Sequence, residues 1–326
     1  MGSILLPKHI YENQLPAFLM QLGSQNGDGK VTIDWSRADS MIPGATVALL
    51  AALHAWALDG KRIAFLNHSR CPAYKYLERM NFFRQCGLSE LVLGPPHEPD
   101  GRFVPITRVG RGMTVEHGEI CTSVASCIAP EAADLFKAEI YDAPEKTGAF
   151  DYIEYAVSEL VTNVSHHSKA HGFLFAQFYP RTGIARLGIA DCGIGILGSF
   201  KDSGSPHWHP NMTELDAIRK AIEPKVSSKN HRSTAWGESM NAGVGLTLLE
   251  TMTRSIEGGG FCICSGDGLY ELDYERMVPG DCRFPGTLCA VAVKTSSLVS
   301  FEILLRQAKI ATGLLSQRDP YSGLFK

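Results

Sequence analysis

Residues 142–167 read DAPEKTGAFDYIEYAVSELVTNVSHH and carry the clearest helical signal in the chain. Ile153, Ala156, Val157, Leu160, Val161 and Val164 fall at i, i+3, i+4, i+7, i+8 and i+11, the stripe of a helix with one buried face. Glu159 and Asn163 stand one turn apart at the polar flank of that stripe, and His167 extends the row by another turn. Such a row can serve a metal and a water, with Glu159 as general base and the Asn163 carbonyl oxygen as a ligand for a hard Mg2+ ion. The same spacing also suits the solvated rim of an ordinary amphipathic helix.

Working outward, residues 171–179 and 184–190 read as two strands joined by the turn Pro180-Arg181-Thr182-Gly183. The second strand runs into Asp191-Cys192-Gly193-Ile194-Gly195-Ile196. An Asp at a strand end can accept a hydrogen bond from an exocyclic amine such as that of adenine, and the glycines after it let backbone approach a ligand; a plain turn is the other reading. Residues 194–242, rich in Gly, Ser, Pro, His and Asn, read as a long loop around one short helix near 213–222. Asn241-Ala242-Gly243-Val244-Gly245-Leu246-Thr247 then opens a helix over 244–256, whose free amides could hold a phosphate or simply end a turn. It is neither a dinucleotide fingerprint nor a P-loop. GGGFCICSGDGLYELDY reads as a hairpin with Cys262 and Cys264 on one face, Gly286-Thr287 leads a last strand, and 297–315 holds a final helix.

Taken in order, a Glu-x-x-x-Asn helix, a strand into DxGxGI, a long loop, GxGL opening a helix, a hairpin and a Gly-Thr strand resemble the GHKL ATPase family. Its Bergerat nucleotide-binding fold is shared by histidine kinases, anti-sigma serine kinases, gyrase B and MutL. The resemblance covers about 140–297 and implies ATP and Mg2+ as cofactors. It makes Glu159 the residue that orients the attacking water or hydroxyl, and Asn163 the ligand of Mg2+ bridging the ATP phosphates. His167 sits where anti-sigma kinases also tend to have a histidine. Asp191 would bind the adenine N6 amine, with Gly193 and Gly195 shaping the pocket. Gly243, Gly245 and Leu246 would close over the phosphates at the end of an ATP lid spanning about 196–242, and Thr287 would back the adenine through a water. Lys225, Lys229, His231 and Arg232 are the clustered cations of that lid; solvated loop charges are the other reading.

Ahead of this region, VTIDWSR at 31–37 alternates as a strand, 44–58 is densely apolar at helical spacing, and KRIAFLN at 61–67 is a second strand. The segment resembles a STAS domain, the anti-sigma-antagonist module, over about 25–95. Where that module has its phosphoacceptor serine this chain has Pro43; Ser40 or Thr46 could substitute as the acceptor, and the plainer expectation is a STAS-like domain that binds without being phosphorylated. A helix over 73–86 and a short strand in SELVLGPP precede a boundary at Gly94-Pro95-Pro96-His97-Glu98-Pro99-Asp100-Gly101. A strand in FVPITRV and a poorly patterned helix over about 118–139 follow it.

The expected class is therefore α+β. A STAS-like α/β domain occupies 1–95, a connecting segment 96–139, and a Bergerat α/β sandwich, a mixed sheet with helices on one face, 140–297. A C-terminal helix and tail fill 298–326, free to pack on the ATPase domain or to make a homodimer. The chain of 326 residues is 44% hydrophobic and 20% charged, with a formal charge of −3, too near neutral for bulk nucleic-acid binding. Nine scattered cysteines without a CxxC pair read as buried small hydrophobes in a reducing compartment rather than as a zinc site. The apolar run 45–58 falls short of the ~20 residues that span a bilayer, and the start lacks a basic, apolar leader, so a cytoplasmic protein without a membrane anchor is expected. The chain offers no phosphoacceptor histidine followed by an acidic residue on a dimerisation helix, and only about 29 residues follow 297, too few for a transducer domain. Self-phosphorylation on histidine, strand passage and mismatch repair fall away. The leading expectation is a bacterial regulatory ATPase that controls a protein partner of STAS, sigma-regulatory or signalling type through its N-terminal domain. A serine/threonine kinase of the anti-sigma type and a nucleotide-gated interaction module without turnover are the alternatives.

Overall fold

The computed structural model describes residues 2–25, 29–88, 91–110, 117–129, 148–226, 243–278, 282–298 and 300–316. In chain order the first part forms β1 (Gly2–Leu5), β2 (His9–Ile10), α1 (Leu15–Gly23), β3 (Lys30–Asp34), β4 (Ser40–Met41), α2 (Pro43–Leu58), β5 (Arg62–Leu66), α3 (Tyr74–Arg79) and α4 (Phe82–Gln85). The second forms β6 (Phe103–Gly110), α5 (His117–Ile128), α6 (Gly148–His167), β7 (His171–Tyr179), β8 (Ile184–Asp191), α7 (Gly195–Asp202) and α8 (Glu214–Ala221). It continues through α9 (Gly245–Ser255), β9 (Gly260–Gly266), β10 (Gly268–Glu271), β11 (Tyr274–Met277), β12 (Phe284–Lys294) and α10 (Phe301–Ala311).

β1, β3 and β5 make a three-stranded parallel sheet. β6 to β12 make a seven-stranded sheet in the order β11-β10-β9-β12-β8-β7-β6, and every pairing in it is antiparallel. The fold is thus α+β around a large antiparallel sheet. Among the described residues this sheet is antiparallel rather than mixed as expected, because β12 inserts between β8 and β9 and separates two strands that run the same way.

Period-two alternation gives this sheet two apolar faces. On one, Leu174, Ala176, Leu187, Ile189, Ile263 and Val291 share a core with Val124 of α5, Leu160 of α6 and Leu249 of α9. On the other, Phe173, Phe175, Ala190, Cys262, Cys264 and Leu288 merge with the core of the first part. Helices therefore cover both faces rather than one. The second cover is α2, which lies on β7, β8 and β12 and is buried continuously from Pro43 to Leu53. Its composition, apolar all round, follows from that enclosure. Contact is close enough that a Cβ added to Gly188 would fall 2.6 Å from the Gly44 Cα, so only glycine lets the helix rest on the strand.

Several local expectations change. The helix over 73–86 breaks into α3 and α4 at Asn81, whose backbone is left-handed at φ 61°. The reason is anchoring: the Asn81 amide donates to the His97 carbonyl at 2.9 Å and its oxygen accepts the His97 N–H at 2.9 Å. No strand forms at 91–96. The stretch 96–139 contributes β6, which pairs with β7, and α5, which packs on α6, so it is part of the large sheet's layer structure. The loop expected over 194–242 contains two helices, α7 and α8, in its described part, because Ile196, Leu197 and Phe200 recur at helical spacing and Thr213 and Asp216 form a capping box. Phe200, Met212, Ala217 and Val226 give that segment a small core of its own. Residues 227–242, with Lys229, His231, Arg232, Asn241 and Ala242, lie outside the described residues. The final helix α10 packs on α6 and α9 through Phe301, Leu304, Leu305 and Ala308.

Candidate functional site

Three of the expected site residues, Glu159, Asn163 and His167, stand along α6. Glu159 is half-buried, and burial raises its carboxyl above the ordinary range. Gly245, the first residue of α9, sits against it: a Cβ added there would overlap the Glu159 carboxylate. The Tyr155 hydroxyl, one turn before Glu159, donates to the Gly245 carbonyl at 3.4 Å. Gly243 and Leu246 are half-buried beside it. Asn163 is half-buried on the next turn, and His167 on the turn after brings its Nδ1 to 3.4 Å from the Ser199 hydroxyl of α7.

Past the end of α6, the Ser168 carbonyl accepts the Ile194 N–H at 3.1 Å. That bond ties the segment after β8 to the helix, and a Cβ on Gly193 would overlap the same carbonyl. Asp191 closes β8 with only 4% of its surface exposed. Its Oδ1 accepts the Gly193 N–H at 2.8 Å, and its register partner on β12 is Thr287. Burial dominates and pushes the Asp191 carboxyl up to about 7, against the opposing pull of hydrogen bonds from Gly193 and Thr287. Gly195 opens α7 with a left-handed φ of 72°.

Around this lies a set of residues that spacing did not signal. Ser265, fully buried on β9, accepts the Ile196 N–H at 2.8 Å and donates to Glu214 of α8 at 3.2 Å. Glu214 also accepts the Leu197 N–H at 3.4 Å and pairs with Arg283 at 3.0 Å, so a buried carboxylate caps the start of α7. On the other side of Asp191, Cys192 Sγ lies 3.8 Å from His171 Nε2, which is 3.2 Å from His54 Nδ1 on α2. His54 Nε2 reaches the Gln85 carbonyl at 2.7 Å. A carbonyl only accepts, so Nε2 of His54 carries the proton and its Nδ1 accepts from His171. Burial first, then the Arg108 charge, depresses His171 to about 4; His54 is lowered as well, mainly by burial. These partners come from segments far apart in the chain, and only Tyr155, four residues before Glu159, stood within reach of a periodicity argument.

Of the hydroxyls near Pro43, Thr46 is fully buried and donates to the Ile42 carbonyl at 3.0 Å, while Ser40 is engaged by His9 at 2.9 Å and Tyr11 at 3.0 Å. Among the described residues, no group of three or more His, Cys, Asp or Glu side chains could hold a metal ion, and no helix is long and apolar enough to cross a membrane. The arrangement offers a half-buried base, an amide oxygen one turn away, a helix N-terminus against the base, and a buried carboxyl at a strand end. No family model, curated protein or solved structure matches this chain.

Proposed function

We propose that residues 140–297 form a GHKL-type nucleotide site that binds Mg-ATP and hydrolyses it slowly, and that the first part, STAS-like in this reading, couples the site to a protein partner. The observation that carries the proposal is the line-up along α6: Glu159 meets the N-terminus of α9, and the carbonyl just past the helix holds the segment that follows Asp191. In this reading Asp191 accepts the adenine amine, the amides at the start of α9 face the phosphates, and Thr287 lies beside Asp191 to complete the base pocket. Glu159, held half-buried with a raised proton affinity, takes a proton from the attacking water. Asn163 fits the Mg2+ such a site uses, because that ion takes one or two protein ligands and draws the rest from water and phosphates. When bound, Mg2+ neutralises charge on the phosphates. Tyr155 and His167 position the two ends of the row through Gly245 and Ser199.

Phosphate release and ATP binding by the purified chain test this reading, with Glu159→Gln as control. Binding by both proteins with release only from the wild type supports it. Binding without release from either favours the kinase or the binding-only switch, and failure of ATP to bind overturns the site. A kinase is the second reading, favoured where the γ-phosphate appears on an added protein rather than in water.

A further inference from the structure

At the opposite end of the large sheet from Asp191, a cavity of about 320 Å³ opens between the sheet and the start of α2. Its floor is one face of three strands, where Cys262 pairs with Ala290 and Gly260 with Ala292. Small residues are required nearby, where α2 touches the sheet. Above Gly260 they are not: an added Cβ would meet only Ala292, at 3.5 Å. Packed interiors rarely leave such space over a floor of Gly, Ala and Cys, and the volume lies at the lower end of the roughly 300–1,000 Å³ of small-molecule sites.

Charge selects the ligand. Arg186 is already neutralised by Glu12 at 2.5 Å and stacks on Tyr179, its guanidinium 4.5 Å from the ring centroid. Asp273 is almost fully exposed and faces Arg254 at 3.6 Å. Glu271, across β9 from the floor, is half-buried on the cavity side, and among the described residues its carboxylate has no hydrogen bond or ion-pair contact; burial raises the carboxyl, with the Arg276 charge opposing. Apolar walls from Leu15, Ile42 and Pro43 face it. We infer that this cavity is a binding site for a small organic amine, its ammonium paired with Glu271 and its apolar body laid over Gly260 and Ala292. The site is separate from the proposed nucleotide pocket, and its occupant touches both the first part of the chain and the sheet.

Tryptamine and its carboxylate counterpart indole-3-propionate are the probes, read by isothermal titration and by thermal unfolding of the full chain. Tryptamine binds saturably and raises Tm, indole-3-propionate does neither, and Glu271→Gln weakens tryptamine by about tenfold or more without lowering the Tm of the free protein. Ala292→Phe, which fills the floor, removes binding. Failure of tryptamine to bind the wild type, equal binding of the two probes, or unchanged affinity in Glu271→Gln overturns the inference. None of these readouts depends on ATP, so the outcome stands apart from that of the nucleotide site.

Discussion

Gly245 and Glu159 lie so close that the Glu159 carboxylate occupies the space a side chain on residue 245 would need. Alanine at 245 therefore pushes the flexible end of Glu159 aside rather than disrupting the core. Gly245→Ala is expected to fold with a small change in Tm and to lose phosphate release by about a hundredfold, the scale of a displaced general base. The decisive comparison is the double variant. If Gly245→Ala acts through Glu159, it removes nothing further from Glu159→Gln, whereas independent losses multiply.

If Glu159 is the base of the proposed hydrolysis, its burial sets the acid limb of the rate profile. A base must be ionised to accept a proton, and desolvation holds its carboxyl above the ordinary range. Phosphate release is expected to climb with pH through a midpoint higher than that of a solvated glutamate. A kcat–pH profile checks it; a limb at the ordinary carboxylate position removes Glu159 from the role of base.

Asp191 works in the opposite sense on stability. Its carboxyl titrates near 7 in the fold and near 3.8 in the unfolded chain, so its contribution is complete below 3.8 and is lost as pH rises through 7. In the proposed site an adenine amine would favour the ionised form, so ATP binding near neutrality is expected to release protons. Calorimetry in buffers of differing ionisation enthalpy is expected to show fractional proton release at pH 6.5 that fades above pH 8. Asp191→Asn is expected to abolish the release, weaken ATP by about tenfold or more, and raise Tm at pH 8 by sparing a buried charge.

The His54–His171 pair carries acid sensitivity of the other sign. His171 titrates at about 4 in the fold against 6.5 when unfolded, so its contribution is fully present above 6.5 and is lost as pH falls toward 4; His54 acts the same way. The Arg108 charge deepens the effect at both rings, and the Gln85 carbonyl opposes it at His54. Replacing His171 with Asn is expected to flatten the fall in denaturant midpoint between pH 6.5 and 5, measured as the difference between variant and wild type. An unchanged slope assigns the acid sensitivity elsewhere.

How much of this was readable follows from the range of the interactions. The stripe from Ile153 to Val164, the strands flanking Pro180–Gly183 and the helix after Gly243 are local patterns, and they stand close to where periodicity put them. Break points set by distant partners were not legible. Nothing near Asn81 announces that His97 will hold it left-handed, and nothing near Leu197 announces the carboxylate of Glu214. The position of β12 between β8 and β9 is a fact about pairing, which alternation alone leaves open. At the site, residue types and order pointed to Glu159, Asp191 and Gly245. The contact of Glu159 with Gly245, and the histidine chain to α2, needed the fold.

The enclosure of α2 has a consequence for synthesis. Translation completes this helix early, whereas the last strand it lies on, β12, emerges roughly 230 residues later, on the order of ten to fifty seconds at ribosomal speed. Through that interval the nascent chain presents α2 without the sheet that meets it at Pro43 and Gly44, a helix apolar on every side and fit for capture by a chaperone. The final burial of α2 therefore waits until β12 has left the ribosome, so the order of synthesis fixes when the first part can reach its finished packing.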